Sequence, residues 1–226
     1  MKSDAELRRD VEDELAADPS LNATVIGVAA NEGIVTLSGH VESYSQKLAV
    51  ERCAARVLGV RAVASEVDIK LPGSSRFTDE DIARAAIGAL AWHSSVPRDR
   101  VKVEVGSGWI TLEGDVDWHY QRTAAHDAVC NLRGVTGITD KIAVKSASVS
   151  KAVETHIEQV LRRRFGKTLD HIKIETRGDH VVLRGTVTSI SERREAELAA
   201  WTTPGVCHVD NNLAVEPGIK ASRSAV

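Results

Sequence analysis

Ile34-Val35-Thr36-Leu37-Ser38-Gly39 recurs along the chain as Trp109-Ile110-Thr111-Leu112-Glu113-Gly114 and again as His180-Val181-Val182-Leu183-Arg184-Gly185. The three glycines are 75 and 71 residues apart, and a second glycine follows each by 20 residues, at Gly59, Gly134 and Gly205. A period of that length is too long for a solenoid repeat and matches a small domain. The 226 residues therefore read as three like units, each near the lower size at which a chain buries its own core.

The phrase itself is a strand with one apolar face. Val35, Leu37, Gly39 and Val41 point one way, as do Ile110, Leu112, Gly114, Val116 and Val181, Leu183, Gly185, Val187. A glycine on that face is expected to let a helix approach the sheet. Before the phrase stand alternating stretches, Val101-Lys102-Val103-Glu104-Val105 and Ile172-Lys173-Ile174-Glu175-Thr176. The turns Asn31-Glu32-Gly33, Gly106-Ser107-Gly108 and Arg177-Gly178-Asp179 join the two as hairpins.

Further upstream, apolar residues recur every four positions: Leu7, Val11, Leu15; Ile82, Ala86, Leu90; Val153, Ile157, Leu161. Each set predicts an amphipathic helix, the first opened by the capping box Ser3-Asp4-Ala5-Glu6. Downstream, second helices are expected over about residues 46–58, 121–132 and 192–202, with Gly59, Gly134 and Gly205 as their C-terminal stops. A last alternating strand closes each unit: Val63, Val67, Ile69; Ile138, Ile142, Val144; Val209, Leu213, Val215.

The fold class is thus α+β: three tandem α-β-β-α-β domains, each a three-stranded mixed sheet with two helices on one face. The β-α-β step makes the sheet partly parallel, with a right-handed crossover. Domains are expected at 1–71, 76–145 and 148–216, with 217–226 a flexible tail. Pro72-Gly73-Ser74-Ser75 and Ser146-Ala147-Ser148 serve as short linkers.

Composition is that of an ordinary soluble protein, 42% hydrophobic and 27% charged, with a net charge of −3. The units differ: 8 basic and 12 acidic residues in 1–71, 9 and 10 in 72–146, 12 and 10 in 147–226. Only the third is basic, so no global field draws nucleic acid or anionic lipid. Met1 to Asp10 carries no apolar core of a secretory signal, and no stretch has the length of a membrane span. A cytoplasmic location is expected. Cys53, Cys130 and Cys207, one per unit within apolar patterns, read as reduced buried thiols.

The unit resembles the BON domain. The residues that carry the resemblance are the apolar strand ending in glycine with valine two later, as in Leu37-Ser38-Gly39-His40-Val41, then a helix and a glycine–valine pair. Those pairs are Gly59-Val60, Gly134-Val135 and Gly205-Val206, and Val209-Asp210-Asn211-Asn212-Leu213 resembles the family's ending. The resemblance implies a bacterial module without catalytic residues, attached to phospholipid surfaces and linked to osmotic or envelope stress. It also implies an envelope location in many members, which the N-terminus here does not favour.

One local feature breaks the repeat. Four residues after the strand glycine, Ser43 and Ser189 are placed to cap the second helix, with Gln46 and Glu192 completing capping boxes. The second unit keeps Gln121 but puts Trp118 at the cap, which costs about 1 kcal/mol unless Asp117 substitutes. Broken local rules mark functional positions. Trp118, His119 and Tyr120 are candidates for contact with a lipid headgroup region or a protein partner, or for packing on a neighbouring unit.

Arg162, Arg163, Arg164 and Lys167 are the densest basic run, suited to anionic headgroups or to the negative end of the helix they terminate. Gly134-Val135-Thr136-Gly137 has GxxG spacing, but in one unit of three and without a basic surround, so no nucleic acid is expected. The eight histidines form no pair with cysteine or histidine at familiar metal spacing; His119 with Asp127, and His126 with Cys130, are the nearest candidates. No catalytic residue, metal, cofactor or small-molecule substrate is expected. The expected partner is a phospholipid membrane surface, peripherally, or alternatively a protein.

Overall fold

The computed structural model describes residues 2–71, 77–145, 171–177, 179–203 and 206–216. The first unit runs α1 (Asp4–Ala16), β1 (Ile26–Asn31), β2 (Ile34–Val41), α2 (Tyr44–Arg56) and β3 (Ala62–Ile69). The second repeats it as α3 (Asp79–Trp92), β4 (Val101–Gly106), β5 (Trp109–Val116), α4 (His119–Cys130) and β6 (Gly137–Val144). In the third the described elements are β7 (Ile172–Arg177), β8 (His180–Val187), α5 (Ile190–Trp201) and β9 (His208–Val215). The expected helix over Val153, Ile157 and Leu161 lies outside the described residues, as do Arg162, Arg163, Arg164, Lys167, Gly205, both linkers and the tail.

Each sheet has the repeated phrase as its central strand. β2 pairs antiparallel with β1 and parallel with β3, and the other two sheets repeat both relations. The alternation read from the sequence sets the core. Val35, Leu37 and Val41 are buried, with Ile110, Leu112, Val116 and Val181, Leu183, Val187 in the matching places. Leu7, Val11, Leu15 and Ile82, Ala86, Leu90 cover those faces. Residues Glu32-Gly33 and Ser107-Gly108 all have positive φ, the two-residue hairpin geometry that matches strand twist.

The strand glycine has a different reason from the one expected. Gly39, Gly114 and Gly185 have φ of +125°, +145° and +129°. A Cβ at each would fall far inside van der Waals contact of the carbonyl just before the partner strand: Val25, Arg100 and His171. Backbone, not a helix, fills the space.

Gly59 and Gly134 are not helix stops either. α2 ends at Arg56, where Val57 turns extended, and Gly59 follows in the loop; α4 ends at Cys130, four residues before Gly134. There the bare backbone passes over the first helix, with a Cβ of Gly134 meeting Ile82 Cδ1 at 3.0 Å. The second helices also begin two residues earlier than expected.

Ser43 and Ser189 do cap, accepting from the Gln46 and Glu192 amides at 3.2 and 3.1 Å. The return bonds reach one residue further back, to the amides of Glu42 and Thr188. Ser189→Ala should therefore cost about 1 kcal/mol in chemical denaturation of the third unit. A loss below the measurement error would show that the Glu192 side chain suffices.

The three units also pack on one another through the first residue of each second helix. Tyr44 opens α2, lies against the second unit's core and is hydrogen-bonded to the Ile138 backbone of β6. His119 opens α4 and stacks on Trp201 of α5, centroids 4.5 Å apart at 16°. Ile190 opens α5 and packs on the first unit's core, in a cleft with Leu48, Ala55 and Val63. The contacts run from unit one to two, two to three and three back to one, so the array is closed.

Candidate functional site

The closed array leaves a cleft of about 400 Å³ between the second and third units. Its one wall is the start of α4, with Trp118, His119 and Tyr120; the other is the end of α5, with Leu198, Trp201 and Thr202. Trp118 is 44% exposed and Tyr120 58%, so the aromatic cluster is shared between the inter-unit contact and solvent. His119 supplies the contact, and the two flanking rings supply the surface.

Trp118 occupies the cap position without capping. Its indole has no acceptor, and Gln121 alone closes the turn, its side-chain oxygen taking the amides of Asp117 and Trp118 at 3.0 and 3.1 Å. Asp117 does not substitute. Its carboxylate accepts from the Arg100 guanidinium at 2.7 and 3.1 Å, and the same guanidinium reaches Asp115. Arg100 and Lys145 hold the Asp115 carboxyl below its usual range.

Burial against α5 pushes the His119 imidazole below its ordinary value of 6.5, and Arg122 adds to the effect; Glu197 and Asp140 oppose it. Thr123 Oγ1 lies 3.4 Å from its Nδ1. The folded state thus prefers neutral His119. Its contribution is complete above 6.5 and is lost as pH falls through the lower folded value. The drop in Tm between pH about 8 and about 5 should shrink in His119→Phe, which keeps the ring stack without the proton. An unchanged drop would remove His119 as its source.

Sequence reasoning found Trp118, His119 and Tyr120 but missed Trp201, Leu198 and His93. A signal existed. Position twelve of the second helix is Ala55, Cys130 and then Trp201, an abrupt increase in size. Trp92, 91% exposed at the end of α3 and next to His93, was also passed over.

Among the described residues, metal-binding potential is confined to one turn of α4. His126, Asp127 and Cys130 place nitrogen, oxygen and sulfur within 4.8 Å of one another, so the His126–Cys130 pair read from the sequence is joined by Asp127 and not by His119. Burial holds the Cys130 thiol above its ordinary value, and its Sγ donates to the Asp127 carbonyl. The GxxG residues are spent on structure: Gly134 against α3, and Gly137 beneath the Trp109 ring, whose Nε1 donates to Thr139 at 2.8 Å.

The chain is 28% identical over 202 residues to osmotically-inducible protein Y of Escherichia coli (strain K12), covering 85% of this chain and 95% of that one. Among solved structures, CdsD, a structural protein of the type III secretion system of Chlamydia trachomatis, aligns over 95% of this chain and 94% of its own, at 14% identity and a TM-score of 0.27. The PrgH periplasmic domain aligns over 90% and 98%, at 10% identity and a TM-score of 0.22. Structural likenesses that loose carry no weight for fold or function. The model of the BON domain matches residues 3–70, 78–146 and 153–217, once for each repeat of the glycine phrase, and the chain belongs to the BON domain family.

Proposed function

We propose that this three-domain BON protein is a non-catalytic binding array, tied to osmotic stress, that attaches peripherally to phospholipid surfaces. The observation that carries the reading is the aromatic edge at the junction of the second and third units. Trp118, Tyr120 and Leu198 are 44%, 58% and 40% exposed around one cleft. Aromatic side chains with an apolar body and a polar tip suit the headgroup region of a bilayer. The link to osmotic stress rests on the identity to osmotically-inducible protein Y.

No helix among the described residues is long and apolar enough to cross a membrane, which is compatible with attachment from one side. Arg162, Arg163, Arg164 and Lys167 supply the electrostatic part of this reading, at about 1 kcal/mol per residue near an anionic surface.

Liposome co-sedimentation tests it, with zwitterionic and anionic vesicles at low and moderate salt. The reading expects the full chain to pellet with anionic vesicles and to be partly released as salt rises. Failure to pellet with any vesicle would overturn it and leave a protein partner as the better reading.

A further inference from the structure

We propose that the cleft between α4 and α5 binds a quaternary ammonium cation, the trimethylammonium group of choline. Its lining is aromatic from both units, with Trp118, His119 and Tyr120 from the start of α4 and Trp201 from α5, and His93 also lines it. The stack of His119 on Trp201 joins the two sides before any ligand arrives, and Trp118 and Tyr120 are the exposed rings beside it.

The charge lining the cleft has one sign. Asp127 is its only carboxylate, and no lysine or arginine lines it among the described residues. The Asp127 carboxylate has His126 Nδ1 at 3.4 Å, a partner that carries charge only when protonated. Its negative charge is therefore not cancelled by a fixed cation. Arg122, on the same helix, is committed to Asp140 at 2.8 Å.

These are the terms a trimethylammonium group needs. It has no N–H to donate, so hydrogen-bond acceptors do not select it; the faces of aromatic rings and a nearby carboxylate do. A zwitterion such as glycine betaine adds a carboxylate that finds no cation here. Two other inter-unit clefts among the described residues differ in these respects. The one between units three and one has Arg52, Arg194 and Glu51 and no aromatic ring; the one between units one and two has Phe77 as its sole aromatic, beside Arg133. The cation site is thus particular to the junction where the capping serine is replaced by Trp118.

The site stands on the cleft alone and holds whether or not the protein attaches to membranes. The test is calorimetric titration of the full chain with choline, with glycine betaine and with 3,3-dimethyl-1-butanol, the neutral isostere of choline. Choline should bind about tenfold more tightly than the isostere, and Tyr120→Leu and Asp127→Asn should each weaken it several-fold. Both side chains are exposed, so both variants should keep the wild-type circular dichroism.

Equal affinity for choline and the isostere, or wild-type choline affinity in both variants, overturns the site. Vesicles of phosphatidylcholine and of phosphatidylglycerol then separate the sources. Retention on choline lipid that both variants lose identifies a lipid headgroup; soluble choline binding without such retention identifies the free cation. Vesicle binding with no choline binding overturns this site and leaves the membrane reading standing.

Discussion

Gly114→Ala is expected to destabilise the second unit by about 3 kcal/mol, as the sum of backbone strain and overpacking against main chain. The residue has φ of +145°, and a Cβ there would collide with the Arg100 carbonyl. Backbone cannot rotate away as a side chain does, so β4 must shift relative to β5. That shift also pulls the Arg100 guanidinium from Asp115 and Asp117.

Gly88→Ala is the matched control. Gly88 lies inside α3 with nothing within 4 Å of a Cβ, and alanine there should stabilise by about 0.5–1 kcal/mol. Denaturation midpoints of the two variants should therefore move in opposite directions. Equal small changes would show that the strand glycine is not required by its carbonyl neighbour.

The second large effect concerns the closure of the array. Unit one touches unit two through Tyr44 and unit three through Ile190. Replacing both by alanine leaves each helix a good former at its first position and removes two partly buried apolar contacts. At about 1–1.5 kcal/mol each the pair is worth about 2–3 kcal/mol, and the sites share no partner, so the losses add. The double variant should unfold in more than one step, with the first unit released, and its radius of gyration by X-ray scattering should increase. A single transition at the wild-type midpoint would contradict the closed arrangement.

How far these features could be read in advance depended on whether their cause was local. Alternation at Val35, Leu37 and Val41 and the four-residue spacing of Leu7, Val11 and Leu15 report one-sided burial directly, and the core followed from them. The mixed sheet followed from the order of elements. The reason for Gly39 did not, because it depends on the Val25 carbonyl across the hairpin, far from it along the chain. Gly59 was misread for a related cause. A glycine near a helix end usually closes it, but here Val57 turns extended first and the glycine serves the loop that passes over Leu7.

The candidate site was half legible. Trp118 was conspicuous because it stands where its counterparts are serines. Trp201 was hidden in an alanine-rich helix, and nothing in the sequence paired it with His119. The residues that hold the units together, Tyr44, His119 and Ile190, share a position but no chemistry. Pattern recognition across repeats finds what is kept; the inter-unit contacts are made by what differs.

The most direct measurement of the membrane account is the tryptophan emission of the full chain on anionic vesicles, compared with Trp118→Phe. The account predicts a blue shift on vesicle binding that Trp118→Phe largely removes, because Trp118 at the edge of the cleft enters the headgroup region. Emission that stays unshifted while the protein pellets with the vesicles would contradict attachment through this edge. An unshifted protein that does not pellet would contradict membrane association itself.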